Sequence, residues 1–196
     1  MDLELQNILI KICQDYAPEC LISNSISYIT DEPVDLEKFF NMGKKWVVIL
    51  RRETLPEKFL EFLFDNNLSE LRYILVHQKV SEKFVEKYIE IINSYSLWYY
   101  LWSHQKMSED FIEKYIDKVN WAMVSQHQKL SEKFIEKYEN KLEWSKLSLS
   151  ENITESIIKK FRNKINLNNL KYTGLYKKLF SKEPPTFLKN WEYYDF

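Results

Sequence analysis

The sequence predicts an all-α protein, an α-solenoid of short two-helix repeats with a capping segment at each end. Three observations point there. A nine-residue motif is written three times, apolar residues align in columns about 23 residues apart, and only two glycines and five prolines punctuate 196 residues. A sandwich or barrel needs a breaker roughly every 8–12 residues. Helices joined by short turns need far fewer.

The repeat reads Val80-Ser81-Glu82-Lys83-Phe84-Val85-Glu86-Lys87-Tyr88, then Met107-Ser108-Glu109-Asp110-Phe111-Ile112-Glu113-Lys114-Tyr115, then Leu130-Ser131-Glu132-Lys133-Phe134-Ile135-Glu136-Lys137-Tyr138. Ten residues before each serine stands Leu71, Trp98 or Trp121, and the same offset links Trp46 to Pro56, Trp144 to Thr154 and Leu167 to Lys177. Six repeats therefore begin at 46, 71, 98, 121, 144 and 167, with spacings of 25, 27, 23, 23 and 23. Extra residues enter only at the first two joins.

The leading apolar position and the one three later (Trp46/Ile49, Leu71/Ile74, Trp98/Leu101, Trp121/Val124, Trp144/Leu147, Leu167/Leu170) mark one face of a short first helix. Apolar residues such as Met107, Phe111, Ile112 and Tyr115 draw the stripe of a second. Ser81, Ser108, Ser131 and Thr154 are placed to cap that helix, each followed by a glutamate that suits the positive end of its dipole. Pro56, in the same column, belongs at a helix start. One such helix pair is too short to be stable alone, so its Trp and Phe columns are expected to be buried against neighbouring repeats.

The expected organisation is an N-terminal helical cap over 1–45, the repeat array over 46–180 and a C-terminal strap over 181–196. In the cap, Leu3, Leu5, Ile8, Leu9, Ile12, Cys13 and Tyr16 outline an amphipathic helix over 2–16, and Leu36, Phe39 and Phe40 a degenerate second one. The sixth repeat replaces Ser-Glu with Lys177-Lys178, as terminal repeats often do.

Net charge is −1, but it is unevenly spread. Residues 1–42 carry eight acids against Lys11 and Lys38, a net −6. Residues 155–182 carry Lys159, Lys160, Arg162, Lys164, Lys171, Lys177, Lys178 and Lys182 against Glu155, a net +7. The start Met1-Asp2-Leu3-Glu4 lacks the basic region of a signal peptide. The apolar stretches near 46–50 and 97–102 are too short to span a bilayer. Cys13 and Cys20 suit reduced thiols, so the expected compartment is the cytoplasm, without membrane attachment.

A tryptophan, a hydrophobic residue three on, His-Gln-Lys, then Leu-Ser-Glu-x-Phe-Ile-Glu-Lys-Tyr resembles short helical repeats in uncharacterised proteins of bacteriophages and giant DNA viruses. The likeness covers residues 46–166 best. It implies an interaction scaffold, with no active site to carry over, and a phage origin implies a partner in the host defence machinery.

The candidate partner-binding residues fall in two groups. His77, His104 and His127 share one column, each followed by a glutamine, Gln78, Gln105 and Gln128. Repeat-related side chains lie about 10 Å apart, whereas zinc holds its nitrogens at about 2.1 Å, so this column is not a metal site. His-Gln either fills the turn between helices, bonding backbone or the next repeat, or offers a polar ladder to a partner. The second group is basic: Lys159, Lys160, Arg162, Lys164, Lys171, Lys177 and Lys178. It reads as a solvated face, or as a contact for nucleic acid or an acidic protein. The neighbouring Glu-Lys pairs of the second helices read as solvent-facing charge.

No phosphate-binding glycine loop, metalloprotease motif, CxxC pair or nucleophile elbow occurs. The expectation is therefore a non-enzymatic protein without cofactor, metal or small-molecule substrate. Its expected role is docking on a protein such as a host effector complex, in the manner of an anti-CRISPR inhibitor. The alternative is a nucleic-acid-binding repeat protein that uses the basic C-terminal end.

Overall fold

The computed structural model describes residues 3–16, 45–67, 69–94, 96–150 and 153–180. Among these residues all regular structure is helical, with no strand. The chain divides into two compact lobes, Met1–Leu97 and Trp98–Phe196. The degenerate helix expected around Leu36–Phe40, the strap over 181–196 and Cys20 lie outside the described residues.

The first lobe holds α1 (Leu3–Tyr16), α2 (Lys45–Arg52), α3 (Glu57–Asp65), α4 (Leu71–His77), α5 (Glu82–Lys87) and α6 (Ile89–Ser94). α1 is amphipathic as the sequence predicts, burying Leu9, Ile12 and Cys13, and it packs on α3. At its ends Glu4 meets Lys58 at 3.6 Å, and the Tyr16 hydroxyl donates to Glu53. α2 packs on α4, and Trp46, Ile49, Phe59, Leu60 and Leu63 are buried.

The second lobe holds α7 (Trp98–His104), α8 (Glu109–Lys114), α9 (Trp121–His127), α10 (Glu132–Lys137), α11 (Trp144–Leu147), α12 (Glu155–Lys160), α13 (Leu167–Leu170) and α14 (Gly174–Phe180). α9 packs on both α7 and α11, so first helices of consecutive repeats are neighbours. Short 3-10 turns over Ile116–Lys118 and Arg162–Lys164 close two of the joins.

Second helices begin where the cap column predicts. The hydroxyls of Ser81, Ser108, Ser131 and Thr154 accept from the amides of Phe84, Phe111, Phe134 and Ile157 at 3.1, 3.1, 3.2 and 3.3 Å. Pro56 holds the same position ahead of α3, its carbonyl accepting from Phe59 and Leu60. The two long joins are built differently from the short ones. Each contains a residue in the left-handed region, Asn67 at φ 56° and Ser96 at φ 53°, and the longer of them adds α6, anchored by the buried Ile92.

Two expectations need correction. In the sixth repeat the second helix does not begin at Lys177 but three residues earlier, at Gly174. The Thr173 hydroxyl accepts from the Tyr176 amide at 3.2 Å, whereas a lysine has no acceptor with which to cap a helix. The tryptophan column is also not uniformly buried. Trp46 and Trp98 are buried, but Trp121 and Trp144 are half-exposed. Each lies against the aromatic ring of its own second helix, with centroids 5.3 Å from Tyr138 and 5.0 Å from Phe161. A lysine, Lys141 or Lys164, lies over each ring in a cation–π contact.

Candidate functional site

The repeat-invariant polar residues are used between repeats. Gln78 and Gln128 are buried at 4% and 1% exposure. The amide nitrogen of Gln78 donates to the carbonyls of Leu50 and Glu53 at 2.6 and 2.7 Å, and its oxygen accepts from the Leu55 amide at 2.9 Å. Gln128 repeats this one lobe on, donating to Trp102 and Gln105 carbonyls at 2.9 and 2.7 Å and accepting from Met107 N at 2.9 Å. Each glutamine thus ties down the turn between the two helices of the preceding repeat. All its hydrogen-bonding atoms are engaged on backbone groups that burial would otherwise leave unpaired.

Two further connections were not foreseen. The first-turn glutamate of one repeat bridges the cap serine of the next. Glu57 accepts from the Ser81 amide and hydroxyl at 2.6 and 2.8 Å, and Glu109 does the same for Ser131. The Glu-Lys pairs, expected only as solvated charge, form a staggered ladder: Lys87 meets Glu61 at 2.7 Å, Lys137 meets Glu113 at 2.9 Å, and Lys160 meets Glu136. Adjacent residues on one helix point apart, which is why each pairs with the repeat before or after it and not with its neighbour. The Glu61 contact raises the Lys87 pKa. Beside it, burial chiefly pushes the Tyr88 phenol up to about 12, although Lys87 opposes the shift. The signal for all this was present, since the same glutamate, lysine and serine recur at fixed offsets.

The histidines differ from their glutamine neighbours and from one another. His77 is half-buried and its Nε2 accepts from Arg51 at 3.3 Å. His104 is exposed, its Nδ1 at 2.8 Å from the Ser103 hydroxyl. His127 is half-buried, its carbonyl accepting from Lys106. Burial first, then the positive charges of Lys106, His104 and Lys146, hold His127 below the usual histidine range. Gln105 is 3% exposed, so of the candidate His-Gln ladder only the histidines reach the surface.

No family model, curated protein or solved structure matches this chain.

Much of the basic C-terminal charge is matched within the molecule. Lys159 pairs with Glu155 at 3.3 Å, Lys164 with Glu139 at 3.4 Å, and Lys160 with Glu136 as above. Arg162 is half-buried in its 3-10 turn. Lys171 reaches Asn168 at 3.5 Å, and Lys177 and Lys178 are exposed in the last turn of α14, where the helix dipole favours cations. The basic residues are therefore distributed over several elements. Among the described residues no three His, Cys, Asp or Glu side chains come together to hold a metal. No described helix is long and apolar enough to cross a membrane.

Proposed function

We propose that this chain is a non-catalytic protein-binding scaffold, an α-solenoid of two-helix repeats over 46–180 between an N-terminal cap and a C-terminal strap. It acts in the cytoplasm as a phage or viral protein that docks on a host defence effector. One observation carries the reading. The residues that recur in the three copies of the motif (cap serine, first-turn glutamate, Glu-Lys pair, turn glutamine) are spent on joining one repeat to the next. Such spending supports a stiff surface whose shape is set before any partner arrives, and stiffness lowers the ordering cost of binding.

The nucleic-acid reading is weaker. Three of its seven basic residues are paired with carboxylates of the same lobe, and paired lysines release few counterions on meeting phosphate. Affinity capture from nuclease-treated and untreated host lysates tests the choice. A protein retained at fixed stoichiometry after nuclease treatment is the expected result. Recovery of nucleic acid alone would reject the scaffold.

A further inference from the structure

The cap serines, first-turn glutamates and turn glutamines are engaged in joining repeats, so the surface a partner would meet is made by the outward positions of the first helices and by the His and Lys of the turn that follows them. In the second lobe the outward positions of α7, α9 and α11 read Tyr99, Tyr100 and Ser103, then Met123 and Gln126, then Ser145 and Lys146. Tyr99 is 52% exposed, one of the few large apolar side chains so open to solvent. Its ring stands edge-on to Tyr100 with centroids 5.7 Å apart.

Charge on this face is mainly positive. The first helices and following turns of the four repeats in this lobe contain Lys106, Lys129, Lys146 and Lys171, with His104 and His127, against the single acid Glu151. The second helices and joins over 108–120 and 131–143 are net acidic, by two charges and by one, whereas the one over 154–166 is net basic by three. His104, Lys106, His127 and Lys146 gather where α7, α9 and α11 lie side by side: Lys106 bonds the His127 carbonyl, and His104 and Lys146 lie near enough to act on the same imidazole.

We infer that the first-helix face of the second lobe, centred on Tyr99, His104, Lys106, His127 and Lys146, is the docking surface, and that its partner is a protein presenting carboxylates around an apolar contact. This rests on the scaffold reading. Tyrosine supplies contact area at low conformational cost, and the convergent cations supply charge complementarity and register. Protein is favoured over single-stranded nucleic acid because the tyrosines pack edge-on to one another, leaving no row of parallel faces on which successive bases stack.

The test uses the full chain, 15N-labelled, titrated at low salt with a decaglutamate peptide and separately with a ten-nucleotide oligothymidylate. The peptide is expected to shift amides at 99–104, 123–127 and 146. The double variant His104→Glu/Lys146→Glu should weaken this at least about tenfold, since Lys146→Glu replaces an attraction by a repulsion and His104→Glu adds a second repulsive charge. Lys133→Glu, exposed on α10, should change it less than about twofold. Lys146→Met keeps the aliphatic packing and serves as the second variant if the double one misfolds; it should weaken binding in the same direction. Peptide shifts absent from this face, or oligothymidylate binding there more tightly than the peptide, would overturn the inference. The lysate capture separates the two levels. A protein retained equally by wild type and the double variant removes this face but keeps the scaffold, whereas no protein retained by wild type removes the scaffold itself.

Discussion

Gln128 shows how much one side chain does in this molecule. Its truncation leaves the carbonyls of Trp102 and Gln105 and the amide of Met107 without their partner in a buried setting. Gln128→Ala should therefore cost about 2–4 kcal/mol, several times a typical surface substitution, as read from urea denaturation midpoints. A second residue makes stability depend on pH. The fold holds the His127 pKa below its ordinary 6.5, so the folded state takes up a proton less readily than the unfolded chain. That preference is fully present above about pH 6.5 and is lost as pH falls through the folded value. Wild type should lose stability on acidification from pH 7 to 5 more steeply than His127→Gln. Equal slopes would mean that the ring is solvated as in the unfolded chain.

At the scale of the element, six-residue helices such as α5, α8, α10 and α12 cannot persist on propensity. Their starts are held by the cap and, for α5 and α10, from outside by the glutamate of the previous repeat. Ser131→Ala removes both the cap of Phe134 and a bond to Glu109, and should cost about 1–2 kcal/mol by thermal denaturation. The long joins offer the opposite change. Ser96 sits in the left-handed region, where a Cβ is crowded, so Ser96→Gly should stabilise by up to about 1 kcal/mol. The caps were legible in the sequence because a cap and its amide lie three residues apart. The last helix was misplaced because the ten-residue offset was extended to Lys177, although Thr173 is the only nearby residue able to cap. Tryptophan exposure was not legible either. Trp46 and Trp121 share a column, yet one is 1% exposed and the other half-exposed. Trp46→Ala should thus cost about 3–5 kcal/mol and Trp121→Ala clearly less.

For the whole molecule, the sequence announced the all-helical class through periodicity, which needs only local spacing. What joins the repeats showed in the sequence only as recurrence at fixed offsets, because Glu61 finds Lys87 and Glu113 finds Lys137 more than twenty residues away, and such pairing follows from stacking geometry rather than from neighbours in the chain. The turn-filling role was one of the two readings the His-Gln pairs allowed, and Gln78 and Gln128 take it, bonding backbone of the preceding repeat, while the adjacent histidines part from them toward the surface. Of the candidate site, the histidines and part of the basic end reach the surface, and the varied first-helix positions were passed over because they carry no motif.

The account rests on repeats locked by buried glutamines, and hydrogen exchange at the Met107 amide tests it most directly. This N–H lies in a turn and is held by the Gln128 side chain across the repeat boundary. In native conditions it should exchange about a thousandfold more slowly than an open amide, and Gln128→Ala should abolish that protection while α10 keeps its own. Exchange of the wild-type amide at the rate of an unprotected turn would contradict the interlocked repeat.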